Sequence, residues 1–269
     1  MPTVRIATWN INSVRLRLPL VRRFVQEYRP DILCLQEIKC ENIRFPAKEF
    51  REMGFPHIEV FGQKNWHGVA TVSKLPLDGV EKLHWCGKTD TRHLLTRFAG
   101  GVELHNFYVP AGGDEPDPAI NEKFDHKLRF LDDVTAWFAE RRSADGKVVI
   151  VGDLNIAPHE NDVWSHKQLL KVVSHTPVEV ERMDRWYAAQ DFVDVVRRFV
   201  PVEEKLYSWW SYRAKDWEAA DRGRRLDHIW VSPALADAPT GMGVVRDARG
   251  WRDKPSDHVP LWADLALPD

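Results

Sequence analysis

The sequence predicts an α/β protein, because apolar strands alternate along it with amphipathic helices, and polar residues recur where the strands end. The runs 32–35 (Ile-Leu-Cys-Leu) and 148–151 (Val-Val-Ile-Val) are continuously apolar, as expected of strands that are covered on both faces. Each run is followed directly by polar residues. Since ligand sites in open α/β sheets lie at the carboxyl ends of the strands, these positions are the first candidates for a functional site.

The chain opens with a predicted strand and helix. Residues 4–9 alternate and are rich in β-forming side chains, and a polar turn follows at 10–13. A helix is predicted next, because apolar residues then recur every four positions until Arg29-Pro30 ends the pattern. These positions are Leu16, Leu20, Phe24 and Tyr28.

Strand and helix patterns of the same kinds recur along the rest of the chain. Further strands are predicted at 68–72, 93–98, 102–109, 226–231 and 259–262. Helices are predicted at 121–142, around 186–187 and across 192–199.

Size and composition limit the class of protein. With 269 residues, 43% of them hydrophobic, and no stretch that resembles a linker, residues 1–269 are expected to form a single domain. The formal charge of −2 is not that of a protein that coats nucleic acid with its whole surface, although a local basic face is compatible with it. Three cysteines without a CxxC pair argue against a disulfide framework. Without a signal-like or membrane-spanning apolar run, we expect a cytoplasmic protein that contacts no membrane.

Glu37 is the leading candidate for a metal ligand. It follows the apolar strand at 32–35, where a carboxylate is costly unless it is paired or bound to a cation. Magnesium needs hard oxygen ligands and retains several waters, so one or two carboxylates at the edge of a sheet can hold it beside a phosphate. Taken alone, Glu37 is better explained as the first solvated residue after the strand.

Asp153 and Asn155 form a second candidate pair, in Gly152-Asp153-Leu154-Asn155. Two residues apart in extended chain, their side chains point to the same side, where they can orient a water and hold a phosphate oxygen. An ordinary turn after a strand uses the same residue types, so this pair is not decisive by itself.

His258 is a third candidate, at the start of the last predicted strand and next to Asp257. A histidine that works near a phosphate needs a carboxylate to fix its tautomer and stabilise its charge, and Asp227 on another strand can supply one. The chain has 11 histidines, so His258 taken alone is better explained as a surface residue or a hydrogen-bonded core residue.

A segment that mixes aromatic and basic residues is a candidate nucleic-acid surface. Residues 205–225 contain six basic and three acidic side chains together with Trp209 and Trp210. Basic side chains neutralise phosphates, and exposed aromatic rings stack on bases or fill the space that a missing base leaves. Burial of these tryptophans in the core is the alternative. Arg15 and Arg17, after the first strand, would extend the basic surface.

Taken in order, these segments resemble the motif series of the exonuclease III and apurinic/apyrimidinic endonuclease family, within the endonuclease/exonuclease/phosphatase superfamily. The resemblance covers essentially the whole chain. It rests on segments 8–12 (TWNIN), 35–37 (LQE), 106–110 (NFYVP), 152–155 (GDLN), 208–213 (SWWSYR), 225–227 (RLD) and 256–258 (SDH). It implies a deoxyribonuclease I-like fold, a four-layered sandwich of two mixed β-sheets packed face to face with helices outside.

The resemblance also implies roles around a metal ion, Mg²⁺ or Mn²⁺. Glu37 would ligate the metal, Asn10 would support it, and Asp257 would lie at or beside it. Tyr108 would contact the phosphate.

For the reaction itself, the resemblance implies three further roles. Asp153 would orient and deprotonate the attacking water, and Asn155 would hold that water or the phosphate. His258, paired with Asp227, would stabilise the charge that develops on the phosphate, as phosphoryl transfer requires.

DNA contacts are implied at other positions. Trp209 would line a pocket for an abasic sugar, and Arg92 and Arg213 would join Arg15 as contacts to the DNA backbone. His175, in a loop expected to overhang the site, would narrow that pocket and favour trimming of 3′ ends.

The expected activity is that of a metal-dependent DNA-repair hydrolase. Its partner would be double-stranded DNA with abasic sites or 3′ ends, bound by a monomer. Alternatives are a chiefly 3′ to 5′ exonuclease, a phosphatase or phosphodiesterase that shares the metal site, and a regulator without activity on the same scaffold. The last alternative predicts loss of Glu37, Asp153 or His258, and this sequence retains all three.

Overall fold

The computed structural model describes residues 3–98, 100–252 and 254–267. The strands in these ranges are β1 Thr3–Asn10, β2 Ile32–Gln36, β3 His57–Phe61, β4 Val69–Ser73, β5 Val80–Leu83, β6 His93–Phe98, β7 Val102–Tyr108, β8 Val148–Asp153, β9 Val193–Asp194, β10 Trp209–Trp210, β11 Gly223–Arg224, β12 Asp227–Val231, β13 Pro239–Val244 and β14 Leu261–Ala266. The α-helices are α1 Leu18–Tyr28, α2 Ala47–Glu52, α3 Glu122–Glu140, α4 His166–Leu169, α5 Pro177–Ala189, α6 Val195–Phe199 and α7 Trp217–Ala220.

The strands form two mixed six-stranded sheets. The first has the order β13-β14-β1-β2-β4-β3, and the second has the order β5-β6-β7-β8-β12-β9. In each sheet one central pair is parallel, β1 with β2 and β7 with β8. β10 and β11 form a separate two-stranded ribbon. The parallel pairs bring the carboxyl ends of their strands to a common edge.

Alternate side chains of β1 point to opposite faces of the first sheet and so contact two different layers of the fold. Val4 and Ile6 point to the second sheet and pack in the core between the sheets, whereas Ala7 and Trp9 point outward. The outward side chains pack against α1, whose Phe24 lies 5.8 Å from the Trp9 ring. Every second side chain of the strand therefore packs against one face of the helix, on which side chains recur about every 3.6 residues.

The second sheet is covered in the same way. Phe107 of β7 points outward and packs against α3 and α5, with its ring 5.0 Å from that of Trp186. The order of layers is helix, sheet, sheet, helix, which confirms the predicted four-layered sandwich.

A buried polar network joins the two sheets near the edge where the parallel strands end. Gln36 of β2 donates to the Asn106 side chain of β7 over 2.7 Å, and Asn106 donates to the backbone oxygen of Ala70 over 2.9 Å. Because buried amides must be hydrogen-bonded, this network fixes the relative position of the sheets at that edge.

Most predicted elements are present, with shifted bounds. The first helix begins at Leu18, and Leu16 is exposed rather than part of its apolar face. The helix predicted across 192–199 is wrong at 193–194, which form β9, and the helix around 186–187 is the end of the longer α5. Among the described residues, no helix has the length and apolarity needed to span a bilayer.

Buried histidines make the stability of this fold sensitive to acid. His228 on β12 is fully buried, and its Nε2 lies 2.9 Å from the backbone oxygen of Ile156. Burial lowers the pKa of His228 to about 3. Below about pH 6.5 the unfolded chain therefore binds a proton at this histidine that the folded chain does not bind. Each further pH unit of acidification then lowers the free energy of unfolding by about 1.4 kcal/mol.

We predict that His228→Gln, which retains a donor for Ile156 but does not titrate in this range, flattens the acid side of the stability profile. Between pH 7 and pH 5, urea unfolding should show that the wild type loses about 2 kcal/mol more than the variant. The matched change His84→Gln at an exposed site serves as the control. Equal losses for wild type and H228Q would show that His228 is not the source.

Candidate active site

Polar side chains from both sheets meet where the parallel strands end. β1 ends at Asn10, β2 is followed by Glu37, and β7 and β8 end at Tyr108 and Asp153. These ends surround a cavity of about 640 Å³ that His258 also lines. The structure thus brings together five of the residues that the sequence indicated.

Asn10 connects the two sheets inside this cluster. Its fully buried amide nitrogen donates to Glu37 Oε1 over 3.0 Å and to Asp153 Oδ2 over 2.9 Å. Its amide oxygen accepts from the backbone nitrogen of Asn12 over 3.1 Å. Asn10 thus holds the two carboxylates as a donor, and its role as a metal ligand stays a prediction.

Glu37 is held in a strained backbone conformation, with φ at 49°. A positive φ is uncommon for a residue with a side chain and persists only where the surroundings enforce it. Tyr108 donates to Glu37 Oε1 over 2.9 Å, and Lys39 lies 2.8 Å from Oε2. Burial raises the pKa of Glu37, but Lys39 and the bond from Asn10 outweigh burial and lower it overall. Glu37 is therefore an anion at neutral pH.

Tyr108 stays protonated in this setting. Burial and the charge of Glu37 raise the pKa of Tyr108 well above its usual value. Its hydroxyl therefore remains a hydrogen-bond donor at the wall of the cavity.

Asp153 is buried at the end of β8. Asn155 donates to it twice, from its backbone nitrogen over 3.0 Å and from its side-chain amide over 3.1 Å. Gly152 has a φ of 141°, and a Cβ there would lie 2.0 Å from the backbone oxygen of Phe107, so only glycine fits. Burial and the charges of Asp227 and Glu37 raise the pKa of Asp153 to about 7, although His258 opposes them. A carboxylate with this pKa is suited to accepting a proton near neutral pH.

His258 pairs with Asp227 across strands. Its Nδ1 lies 2.8 Å from Asp227 Oδ2, which also accepts from the Ser208 hydroxyl over 2.6 Å. Burial lowers the pKa of His258, but the charges of Asp227 and Asp153 outweigh burial and raise it to about 10. Because Nδ1 faces Asp227, Nε2 of the charged ring faces Asp153 at 3.6 Å, a distance too long for a hydrogen bond.

Asp257 links the cluster to the aromatic side of the cavity. Its two oxygens accept from the Asn12 amide and from the Trp209 indole nitrogen, each over 3.0 Å. Burial raises the pKa of Asp257, but the charge of His258 and the bonds from Asn12 and Trp209 lower it overall. Asp257 thus fixes Trp209 at the cavity wall while remaining an anion.

The oxygen ligands of the cluster fit a divalent cation. The carboxylates of Glu37, Asp153, Asp227 and Asp257 are hard oxygens of the type that Mg²⁺ prefers. Lys39 and His258 pair with them directly, and the cavity wall also carries Asp114, Arg213, Arg222 and Arg224. Five acidic and five basic side chains therefore balance around the cavity, and it is the ligand type that favours Mg²⁺.

Asp153, Asp227 and His258 also lie close enough together to hold an ion. We favour the Glu37 side of the cluster instead. His258 is protonated at neutral pH and its Nδ1 is bonded to Asp227, whereas a histidine ligand must give up its proton.

The basic residues expected to contact DNA have different environments. Arg213 is exposed and lines the cavity beside Trp209, and Arg15 is exposed beside a smaller groove that Lys39 also lines. Arg92 is 6% exposed and is paired with Asp90, with its guanidinium over the Tyr108 ring. In this structure Arg92 supports the Tyr108 ring, and its contact to DNA stays a prediction.

His175, expected to narrow the pocket, is buried, and its effect on the choice of substrate stays a prediction. The ring is 2% exposed, its Nδ1 lies 2.6 Å from the backbone oxygen of Ala157, and its Nε2 lies 2.8 Å from Nδ1 of His166. Val173 and Ser174 just before it line the cavity, so the loop does reach the site. His175 itself does not narrow the cavity, because both ring nitrogens bond away from it.

Sequence reasoning missed several side chains that build the site. Lys39 bonds to Glu37 and to the Asn12 side chain, and Ser208 bonds to Asp227. Lys127 on α3 is fully buried and donates to the backbone oxygen of Asn155 over 2.8 Å. Lys39 could have been found from its spacing, two residues after Glu37, but Lys127 looks like any charged residue of a long helix.

Comparison with known proteins gives consistent results. The sequence profile of the Endonuclease/Exonuclease/phosphatase family matches residues 7–258. Exodeoxyribonuclease III of Haemophilus influenzae is 30% identical over 97% of this chain and 100% of its own length. An AP endonuclease from Archaeoglobus fulgidus has a similar structure, with a TM-score of 0.90 and 32% identity over 98% of this chain and 100% of its own. The 3′ phosphatase NExo from Neisseria, solved with a product DNA hairpin, has a TM-score of 0.89 and 30% identity over 98% and 100%.

We predict that Asp227→Asn removes most of the stabilisation of the charged His258 ring. Among the neighbours of His258, Asp227 raises the pKa of the ring most. Without that charge, the pKa of His258 should fall from about 10 by roughly 1–3 pH units. An NMR titration of the imidazole resonances measures it. The control Asp145→Asn changes an exposed carboxylate at the far end of β8. A pKa of His258 that is the same in D227N and D145N would contradict the pairing.

Proposed function

The chain belongs to the endonuclease/exonuclease/phosphatase family, and we propose that it is a metal-dependent DNA-repair nuclease, which hydrolyses phosphodiester bonds 5′ to abasic sites and removes nucleotides or blocking groups from 3′ ends. The observation that carries this proposal is the cluster in which Asn10 holds Glu37 and Asp153 beside the His258–Asp227 pair. Among similar proteins are an exodeoxyribonuclease III, an AP endonuclease and a 3′ phosphatase, and one metal site can serve all three reactions.

Each side chain of the cluster has its own role in the proposed hydrolysis. Asp153, held by Asn10 and Asn155, accepts the proton of a water whose oxygen bonds to phosphorus while the bond to the leaving sugar oxygen breaks. His258 Nε2, which faces the same space, donates to a phosphate oxygen where negative charge increases. Tyr108 donates to Glu37 and stands next to the phosphate position. Asp227 keeps the His258 ring charged and oriented.

Mg²⁺ would be held by Glu37, with Asp257 nearby, and Mn²⁺ has similar ligand preferences. Bound there, the ion would supply positive charge beside the phosphate oxygens. The hard carboxylate oxygens of Glu37 and Asp257 in the cavity wall support this assignment.

The proposed DNA contacts follow the cavity wall. Trp209 presents its ring to the cavity with its indole nitrogen fixed by Asp257, and Arg213 stands exposed beside it. Arg15 offers a phosphate contact on the other side of Glu37. Action as a monomer and a cytoplasmic location stay predictions from the sequence.

A chiefly exonucleolytic enzyme is the second candidate, because the same residues would trim 3′ ends if the pocket accepted abasic sugars poorly. A regulator without activity is disfavoured, since every member of the predicted catalytic cluster is present and hydrogen-bonded. Phosphatases with small substrates would not need the tryptophan-rich basic wall.

End-labelled duplexes test the proposal. One carries a central abasic analogue, and the other is undamaged with a recessed 3′ end; each is incubated with Mg²⁺ and then with excess chelator. We expect a single incision 5′ to the analogue and shortening of the recessed end, both abolished by the chelator. A ladder from the 3′ end alone favours the second candidate. Cleavage that survives the chelator, or no cleavage of either duplex, contradicts the proposal.

We predict that Asp153→Asn lowers the rate of incision by roughly 10²–10⁴-fold, because the carboxylate that accepts the water proton is lost and the amide retains only one of the two oxygens that accept from Asn10 and Asn155. Single-turnover rates on the abasic duplex measure the effect. The exposed matched variant D145N should cleave like the wild type. A D153N rate within a factor of ten of wild type would remove Asp153 from this role.

A further inference from the structure

Lys127 on α3 carries a positive charge in the interior of the protein. Its side chain is fully buried, and so is that of Glu179 on α5, with which it forms an ion pair. Replacing a buried ion pair by apolar side chains of similar size is often neutral or stabilising. A contribution to stability therefore does not explain why this pair lies where it does, and the groups that it holds are the better guide to its role.

The ammonium group of Lys127 joins three separate segments of the chain. It donates to the backbone oxygen of Asn155 over 2.8 Å, to a carboxylate oxygen of Glu179, and to the backbone oxygen of Ala111 over 3.4 Å. A lysine ammonium has three N–H donors, so each donor has its own acceptor. Two of the three acceptors belong to residues that line the cavity, Ala111 and Asn155.

Asn155 has a conformation that its surroundings must hold. Its φ is 55°, in a region that residues with a side chain seldom adopt. From this conformation its backbone nitrogen and its side-chain amide donate to the two oxygens of Asp153, over 3.0 and 3.1 Å. Because both donors come from one residue, a rotation of its backbone moves both of them and turns the Asp153 carboxylate. The bond from Lys127 to the backbone oxygen restricts that rotation.

Glu179 fixes the other side of the ammonium group. Its carboxylate oxygens accept from the backbone nitrogens of Ser174 and Thr176 and from the Thr176 hydroxyl, over distances of 2.6–3.2 Å. These bonds anchor the carboxylate at the start of α5. The position of Lys127 is therefore set by α3, which carries it, and by α5, which carries its counterion. An apolar side chain of similar length would fill the same space without holding the 153–155 turn.

We propose that Lys127 is a positioning residue for the hydrolysis: by fixing the backbone of Asn155, it orients the Asp153 carboxylate toward the attacking water. This inference rests on the proposed nuclease function. Lys127 acts through the turn and does not touch the substrate.

Single-turnover cleavage of the abasic duplex at saturating DNA tests this role in two backgrounds. Lys127→Met keeps the length of the side chain and removes its donors. In the otherwise wild-type protein it should lower the rate by roughly 10–100-fold, because a base that is slightly misplaced loses much of its effect. In the Asp153→Asn protein, which has no carboxylate to orient, the same change should alter the rate by less than about twofold.

Equal factors in the two backgrounds are the result that a general loss of folded protein would give. They overturn the inference and leave the proposed function intact, as does a K127M rate equal to that of the wild type. If the wild-type protein cleaves neither duplex, the proposed function fails and this inference fails with it.

Val134→Ala is the matched control for stability. Val134 is fully buried on α3, about two turns beyond Lys127, in the apolar core that covers the second sheet. We expect V134A to unfold at a lower temperature than the wild type and to cleave at the wild-type rate. A rate loss in V134A as large as that in K127M would assign the effect to stability and overturn the inference.

Hydrogen exchange in the wild-type protein tests the fixed turn without any substitution, so it remains decisive if K127M does not fold. The backbone N–H of Asn155, which donates to Asp153, should exchange as slowly as the amides of β8. Exchange as fast as that of Glu115, in the exposed loop after β7, would show that the turn is not held in place and would overturn the inference.

Discussion

One hydrogen-bonded amide connects the two halves of the catalytic cluster. Asn10, at the end of the first strand, donates to Glu37 on its own sheet and to Asp153 on the other. Two carboxylates do not approach each other in a buried site unless donors or cations stand between them. The face-to-face packing of the sheets therefore matters for chemistry because it brings both acids to one nitrogen. The Gln36–Asn106 bond fixes that packing close by.

Around this amide the protein keeps its side chains in a fixed arrangement before any substrate binds. Glu37 and Asn155 both have a positive φ, and each is held by neighbouring residues rather than by its own backbone preference. Asp257 holds Trp209, and Asp227 holds His258, so two acids of the cluster fix the position of neighbouring side chains in the cavity wall. Fixed donors and charges of this kind act on a transition state without reorganisation.

How much could be predicted from sequence depended on where each residue lies in the sheets. Central strands such as β2 and β8 are covered on both faces and read as apolar runs, so they and the acids that follow them were found. The strands missed in the two large sheets, β3, β5, β9 and β13, are all sheet edges, where glutamate, lysine and glycine are tolerated and the pattern weakens. The short ribbon strands β10 and β11 were missed as well. The environments of Arg92 and His175 depend on Asp90 and Ala157, contacts that no motif specifies, so their burial could not be predicted from the sequence.

The position of the metal tests the central claim most directly. Crystals grown with Mn²⁺, located by its anomalous scattering, would show which acids bind the ion. We expect a peak at the Glu37 carboxylate beside Asp153, with His258 Nδ1 still bonded to Asp227. A peak confined to Asp153, Asp227 and His258, with Glu37 free of contact to the ion, would contradict the assignment of roles on which the proposed mechanism rests.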